Sequence, residues 1–80
     1  MAYFDNIQNI ATINGYDIVR TADADDPMSG YISVMEGTYT HYMKRFVDNK
    51  LPADVRGDHV TELTAINYAR NIASTMPAAH

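Results

Sequence analysis

The stretch DPMSGYISVMEGTYTHYMKRFVDNKL, residues 26–51, decides the fold. Its apolar residues fall at Met28, Ile32, Met35, Tyr39, Tyr42 and Phe46, alternately four and three positions apart. At about 100° per residue these gather on one side of a helix, and Met43 and Val47 widen the stripe. Ser29, Gly30, Ser33, Gly37, Thr40, His41, Lys44, Arg45 and Asp48 fall mostly on the other side, with Val34 and Glu36 as misfits. Asp26 followed by Pro27 is a start signal, an N-cap carboxylate before a residue with a suitable φ and no N–H to satisfy. Pro52 supplies the stop. The spacing predicts a long central helix over about 27–50.

A hairpin competes with that helix. Tyr31–Glu36 is rich in strand formers and bounded by Gly30 and Gly37, and Thr38–Tyr42 also has high β propensity. Two glycines inside a helix cost roughly 1 kcal/mol each relative to alanine. Neither candidate strand alternates cleanly, however, and Tyr39–Leu51 fits a helix better than a strand. The helix is preferred, with the hairpin kept as the alternative.

Towards the N-terminus, residues 2–14 read as a helix with a stripe of Phe4, Ile7, Ile10 and Ala11, closed by Gly15 as a left-handed cap. Residues 16–22, YDIVRTA, favour a strand, which has nothing to pair with unless 31–36 is also one. Towards the C-terminus, LPADVRGD is a connection with a helical turn at Ala53–Arg56, broken by Gly57. Asp58 is then expected to cap a helix over 58–76, with Leu63, Ile66, Ala69, Ile72, Ala73 and Met76 on its apolar side and Pro77 after it. The expected fold is mainly α, a small helical bundle in one domain, 1–80, whose central helix is packed by the helices 2–14 and 58–76. The alternative is α+β, a short antiparallel sheet from 16–22, 31–36 and 38–46 packed by two helices. In the preferred reading Met35, Tyr39, Tyr42 and Met43 are core, whereas Tyr16, Met28, Tyr31 and Tyr68 lie exposed or at an interface.

Eighty residues bury a modest core, and a helix over 27–50 would be about 36 Å long and outreach its partners. A homodimer is therefore expected. No cysteine is present, which removes disulfides and thiolate metal sites, and no apolar run approaches the roughly 18 residues that a bilayer requires. The segment MAYFDNIQNI lacks the basic start and apolar run of a secretory signal, so a cytoplasmic location is expected.

The net charge of −4 is unevenly placed. Residues 1–37 carry Asp5, Asp17, Asp23, Asp25, Asp26 and Glu36 against Arg20 alone, while the bases Lys44, Arg45, Lys50, Arg56 and Arg70 follow later. An acidic end disfavours nucleic acids and anionic membrane surfaces and suits a basic protein surface. A nucleic-acid regulator using Lys44, Arg45, Lys50 and Arg56 is one alternative function, and a self-assembling subunit is another.

Chemistry-bearing patterns are sparse. The Asp-x-Asp of TADADD lacks the glycine and the closing carboxylate of a calcium loop. His59 and Glu62 lie three apart but have no second pair to complete a metal site. No nucleophile elbow and no phosphate-binding glycine loop occurs. Arg56-Gly57-Asp58 matches an adhesion tripeptide too short to carry weight. No enzymatic activity, metal or cofactor is expected.

Six tyrosines and five methionines in so short a chain point to protein binding, because both residues bury much area at little polar cost. The expected function is a small acidic protein-binding module, an accessory or inhibitory protein of the kind carried by phages and mobile elements. It would engage a basic surface on a larger complex through Tyr16, Asp23, Asp25 and Tyr31.

Overall fold

The computed structural model describes residues 7–79. The chain runs through β1 (Ile7–Ile13), β2 (Tyr16–Ala22), β3 (Gly30–Glu36), β4 (Tyr39–Phe46), α1 (Ala53–Arg56) and α2 (Glu62–Thr75). The strands form one antiparallel sheet in sequence order, β1-β2-β3-β4. This overturns the mainly α reading. The span 27–50 holds two strands and a turn instead of a central helix, and 7–13 of the expected helix 2–14 is a strand. Residues 2–6 of that helix lie outside the described residues. Of the expected bundle, α2 remains, beginning at Glu62. The α+β alternative is closer, since its segments 16–22, 31–36 and 38–46 nearly coincide with β2, β3 and β4. It lacked β1. The expected turn at Ala53–Arg56 is α1.

Local chemistry explains the strands. Asn14 and Gly15 both have positive φ, 58° and 84°, as a two-residue type I′ turn requires, so Asn-Gly closes the β1–β2 hairpin. Gly37 has φ 59° at the first position of the two-residue β3–β4 turn. Positive φ at that position alone marks a type II′ turn, whose twist matches the flanking strands. Gly30 is required for a different reason. A Cβ there would lie 1.9 Å from the Thr21 carbonyl oxygen, so no side chain fits where β3 leaves β2.

Two bulges account for the helix-like spacing. The β1–β2 register shifts between Asn9 and Ala11, and the β3–β4 register passes from Val34↔Tyr42 to Met35↔Thr40, leaving His41 as the extra residue. A bulge inserts one residue into a period of two. Tyr39, Tyr42 and Phe46 can then share one side of a strand at separations of three and four.

That side is the one α2 covers. Ile18, Ile32, Val34 and Phe46 are fully buried there, with Tyr16 at their margin. Ala65, Ala69 and Ala73 meet them, one small residue per turn, so that the helix backbone lies close over the large strand residues. Burying each isoleucine or phenylalanine is worth about 1.5–3 kcal/mol. Thr61 caps α2, its hydroxyl accepting from the Thr64 N–H. The far end of α2 is held by the first hairpin. Asn14 Nδ2 donates to the carbonyls of Ala73 and Met76, the Tyr16 hydroxyl donates to the Pro77 carbonyl, and the Ala79 N–H donates to the Asn14 carbonyl.

Among the described residues nothing covers the other side of the sheet. Three cross-strand rows cross it: Ile7, Thr21, Tyr31, Arg45; then Asn9, Val19, Ser33, Met43; then Thr12, Asp17, Met35, Thr40. Ser33, at the centre, is 7% exposed. No described helix is long and apolar enough to cross a membrane.

Candidate functional site

The four residues picked for partner binding are placed in quite different surroundings. Tyr16 is 5% exposed, its hydroxyl bonded to Pro77 and its ring edge-on to His41 at 5.3 Å. It belongs to the core. Tyr31 is half-buried on the uncovered side of the sheet, under the Arg45 guanidinium at 5.2 Å. Asp23 receives two 2.8 Å bonds from Arg45, a fork-to-fork pair. Those bonds hold its carboxyl below the usual carboxylate range, against the opposing effect of burial. Asp25 is exposed, and among the described residues no ion pair or hydrogen bond engages its carboxylate. Arg45 thus brings Asp23 and Tyr31 together, while Tyr16 stands apart.

The other expectations about exposure divide as well. Met28 and Tyr68 are exposed as anticipated, at 46% and 47%. Tyr39 and Met43, expected in the core, are exposed at 64% and 54%, because β4 is an edge strand and Met43 points to the uncovered side. Tyr42 is half-buried near Tyr68, and burial first, then that neighbour, raises its hydroxyl pKa.

A concavity lies at one end of the described structure, where the 23–29 loop, the 47–51 loop and the start of α2 converge. Met28, Val47 and Leu63 form its apolar wall, and Asn49, Thr61 and Glu62 complete it around about 180 Å³. Ligand pockets for small molecules hold about 300–1,000 Å³, so this cleft is sized for a single apolar side chain.

The walls are fixed before anything binds. Asp26 accepts from the Met28 N–H and the Ser29 hydroxyl, an Asx turn that occupies the side chain expected to cap a helix. The same Ser29 oxygen accepts from the Asp48 N–H at 3.1 Å, which ties the two loops together. Arg20 donates to the Pro27 carbonyl at 2.7 Å and to Glu62 at 3.0 Å, so it ties the first loop to α2, and its guanidinium lies over the Phe46 ring at 5.1 Å.

Charge at this end is one-sided. Arg45 and Arg20 are taken up by Asp23 and Glu62. Asp25, Asp26 and Asp48 remain as net negative groups, with Lys50 as the nearby base. The sequence pointed to Asp23, Asp25 and Met28 but did not reveal Val47, Asp48, Glu62 and Leu63, which lie more than fifteen residues away and reach the loop only through the fold. Among the described residues no three His, Asp or Glu side chains converge to hold a metal ion. His59 is exposed and Glu62 is engaged by Arg20. No known protein family, curated protein or solved structure matches this chain.

Proposed function

We propose that the chain is a small protein-binding module that acts by binding, not catalysis, and that it takes a basic segment of a protein partner at the end formed by 23–29, 47–51 and the start of α2. The observation behind this is the pre-tied cleft of Met28, Val47 and Leu63 beside Asp25, Asp26 and Asp48, none of which is in a salt bridge among the described residues. An apolar anchor seated in the cleft would supply the buried contact in which binding energy concentrates. Lysines or arginines beside it would meet Asp25, Asp26 and Asp48, which steer association and set its salt dependence. A protein suits this end better than a nucleic acid, because the chain carries −4 and two of its arginines are already paired. The grouped ionisable side chains also favour binding, since Asp23 with Arg45, Glu62 with Arg20 and Glu36 with His41 engage one another.

The test is affinity capture on immobilised wild type, identification of the retained protein, and calorimetric titration of the purified pair. Asp25→Lys is expected to weaken binding several-fold, more at low salt than at high salt. Leu63→Asp is expected to weaken it at every salt concentration. A partner that binds both variants as tightly as the wild type would rule out this end as the site.

A further inference from the structure

We propose that Asn14-Gly15 is a site of spontaneous deamidation, and that the modification releases the end of α2 from the first hairpin. The chain has six asparagines, and only Asn14 precedes a glycine. The others precede Ile7, Ile10, Lys50, Tyr68 and Ile72, whose side chains crowd the backbone nitrogen that must react. Gly15 has no Cβ, so its nitrogen is unobstructed. Both residues of the turn are exposed, and water reaches them.

The reaction needs only water. The Gly15 backbone nitrogen attacks Cγ of the Asn14 amide and forms an N–Cγ bond. The Cγ–Nδ2 bond breaks, and Nδ2 leaves as ammonia with the proton that the Gly15 nitrogen gives up. The product is a five-membered succinimide. Water then opens the ring on either side of its nitrogen. Opening at Cγ gives aspartate, and opening at the main-chain carbonyl gives isoaspartate, with the chain running through Cγ.

The fold gives this chemistry a particular consequence. Asn14 Nδ2 donates to the carbonyls of Ala73 at 3.2 Å and Met76 at 2.7 Å. Carbonyls only accept, so the clasp requires the nitrogen that deamidation removes. Both carbonyls lie at the end of α2, where the helix dipole is negative. After deamidation a carboxylate faces them, with a full negative charge and nothing to donate. Repulsion replaces two hydrogen bonds. The bond from the Ala79 N–H to the Asn14 carbonyl, at 3.0 Å, belongs to the same clasp and is released with it. Ala79 also packs so closely on Gly15 that a Cβ there would lie 3.1 Å from its own.

The same bonds restrain the reaction. Before Cγ can turn onto the Gly15 nitrogen, Nδ2 must leave both carbonyls. Deamidation therefore waits on local opening of the clasp, and then makes the opening permanent. The two products differ in reach. Asp-Gly suits a type I′ turn as Asn-Gly does, so aspartate keeps the hairpin and loses only the clasp. Isoaspartate adds a methylene to the main chain and disturbs the turn as well.

The test ages the full chain at mildly alkaline pH, folded and in urea, and follows each asparagine by peptide mass spectrometry. Asn14 is expected to convert first in both samples. In the folded sample it is expected to convert at least about tenfold more slowly, because only the opened fraction reacts. Asn14→Asp supplies one product without ageing. It is expected to remain folded by circular dichroism, to melt several degrees lower, and to exchange its Ala79 amide hydrogen several-fold faster. Asn14→Gly keeps the turn and removes the donor without adding charge, so it is expected to fall between Asn14→Asp and the wild type. Conversion of another asparagine ahead of Asn14 overturns the proposal, as does no conversion at all. So do equal rates in the folded and unfolded chain, or wild-type melting and Ala79 exchange in both variants.

Discussion

The two sides of this sheet are made from the same strands and differ in almost every other respect. Under α2, Ile18, Ile32, Val34 and Phe46 are fully buried against a row of alanines. On the uncovered side, residues one position away in the same strands alternate between apolar and polar, as with Val19 beside Ser33 and Tyr31 beside Arg45. An antiparallel sheet often keeps one solvated side, and a solvated side can accept change. The covered side carries the large, fully buried side chains of the core, and the other side contributes none of them.

Truncation at matched positions of β4 should break that comparison if it is mistaken. Phe46→Ala opens a cavity under α2 and is expected to cost about 3–5 kcal/mol, while Met43→Ala, 54% exposed, is expected to cost less than about 1 kcal/mol. Urea denaturation of both variants measures the difference, and equal losses would mean that the two sides do not divide the work as described.

The next largest effect concerns the turn that fixes which residues face which way. A one-residue slip in β4 would exchange its two sides, and the Gly37 turn holds the register. Gly37→Ala meets no steric obstacle but forces a left-handed conformation on alanine, for an expected loss of about 1 kcal/mol in thermal or urea unfolding. A gain in stability would contradict the positive φ.

The smallest effect belongs to the uncovered side. Asp23→Asn removes the fork-to-fork pair with Arg45, whose partners are each about a quarter exposed, so solvent screening limits the loss to about 0.5–1 kcal/mol. Because the folded carboxyl has a lowered pKa, its contribution is complete above the ordinary value of 3.8. It declines as pH falls below that value and is gone once pH passes below the folded pKa. Asp23→Asn should therefore flatten the acid side of the stability profile. An identical acid limb in wild type and variant would remove Asp23 as a contributor.

Much of this architecture was legible in the sequence, but it was concealed at the edges. Residues 16–22 and 31–36 show strand propensity and are strands. The edge strands misled because each bulge puts one extra residue into the alternation. Ile7, Ile10 and Ala11, like Tyr39, Tyr42 and Phe46, then fall at helical separations. Asn14-Gly15 carried the correcting signal, since that dipeptide favours a two-residue hairpin turn more strongly than a helix cap. With the long helix gone, the overhang that suggested a dimer is gone too. The cleft was legible only in part, because Met28 and the aspartates are local in sequence while Val47, Asp48 and Leu63 arrive through tertiary packing.

The nearest-neighbour order of the strands has a consequence for how the chain comes together. Each hairpin can close across a short loop without waiting for a distant segment, which keeps the entropy cost of the sheet low for a β structure. The clasp between Asn14 and the end of α2 joins positions 59 and 62 residues apart, so it forms last. During synthesis all four strands emerge before α2, and in that interval both sides of the sheet are bare. The bulged edges are most valuable then, before the helix arrives, because they discourage one nascent sheet from pairing with the next.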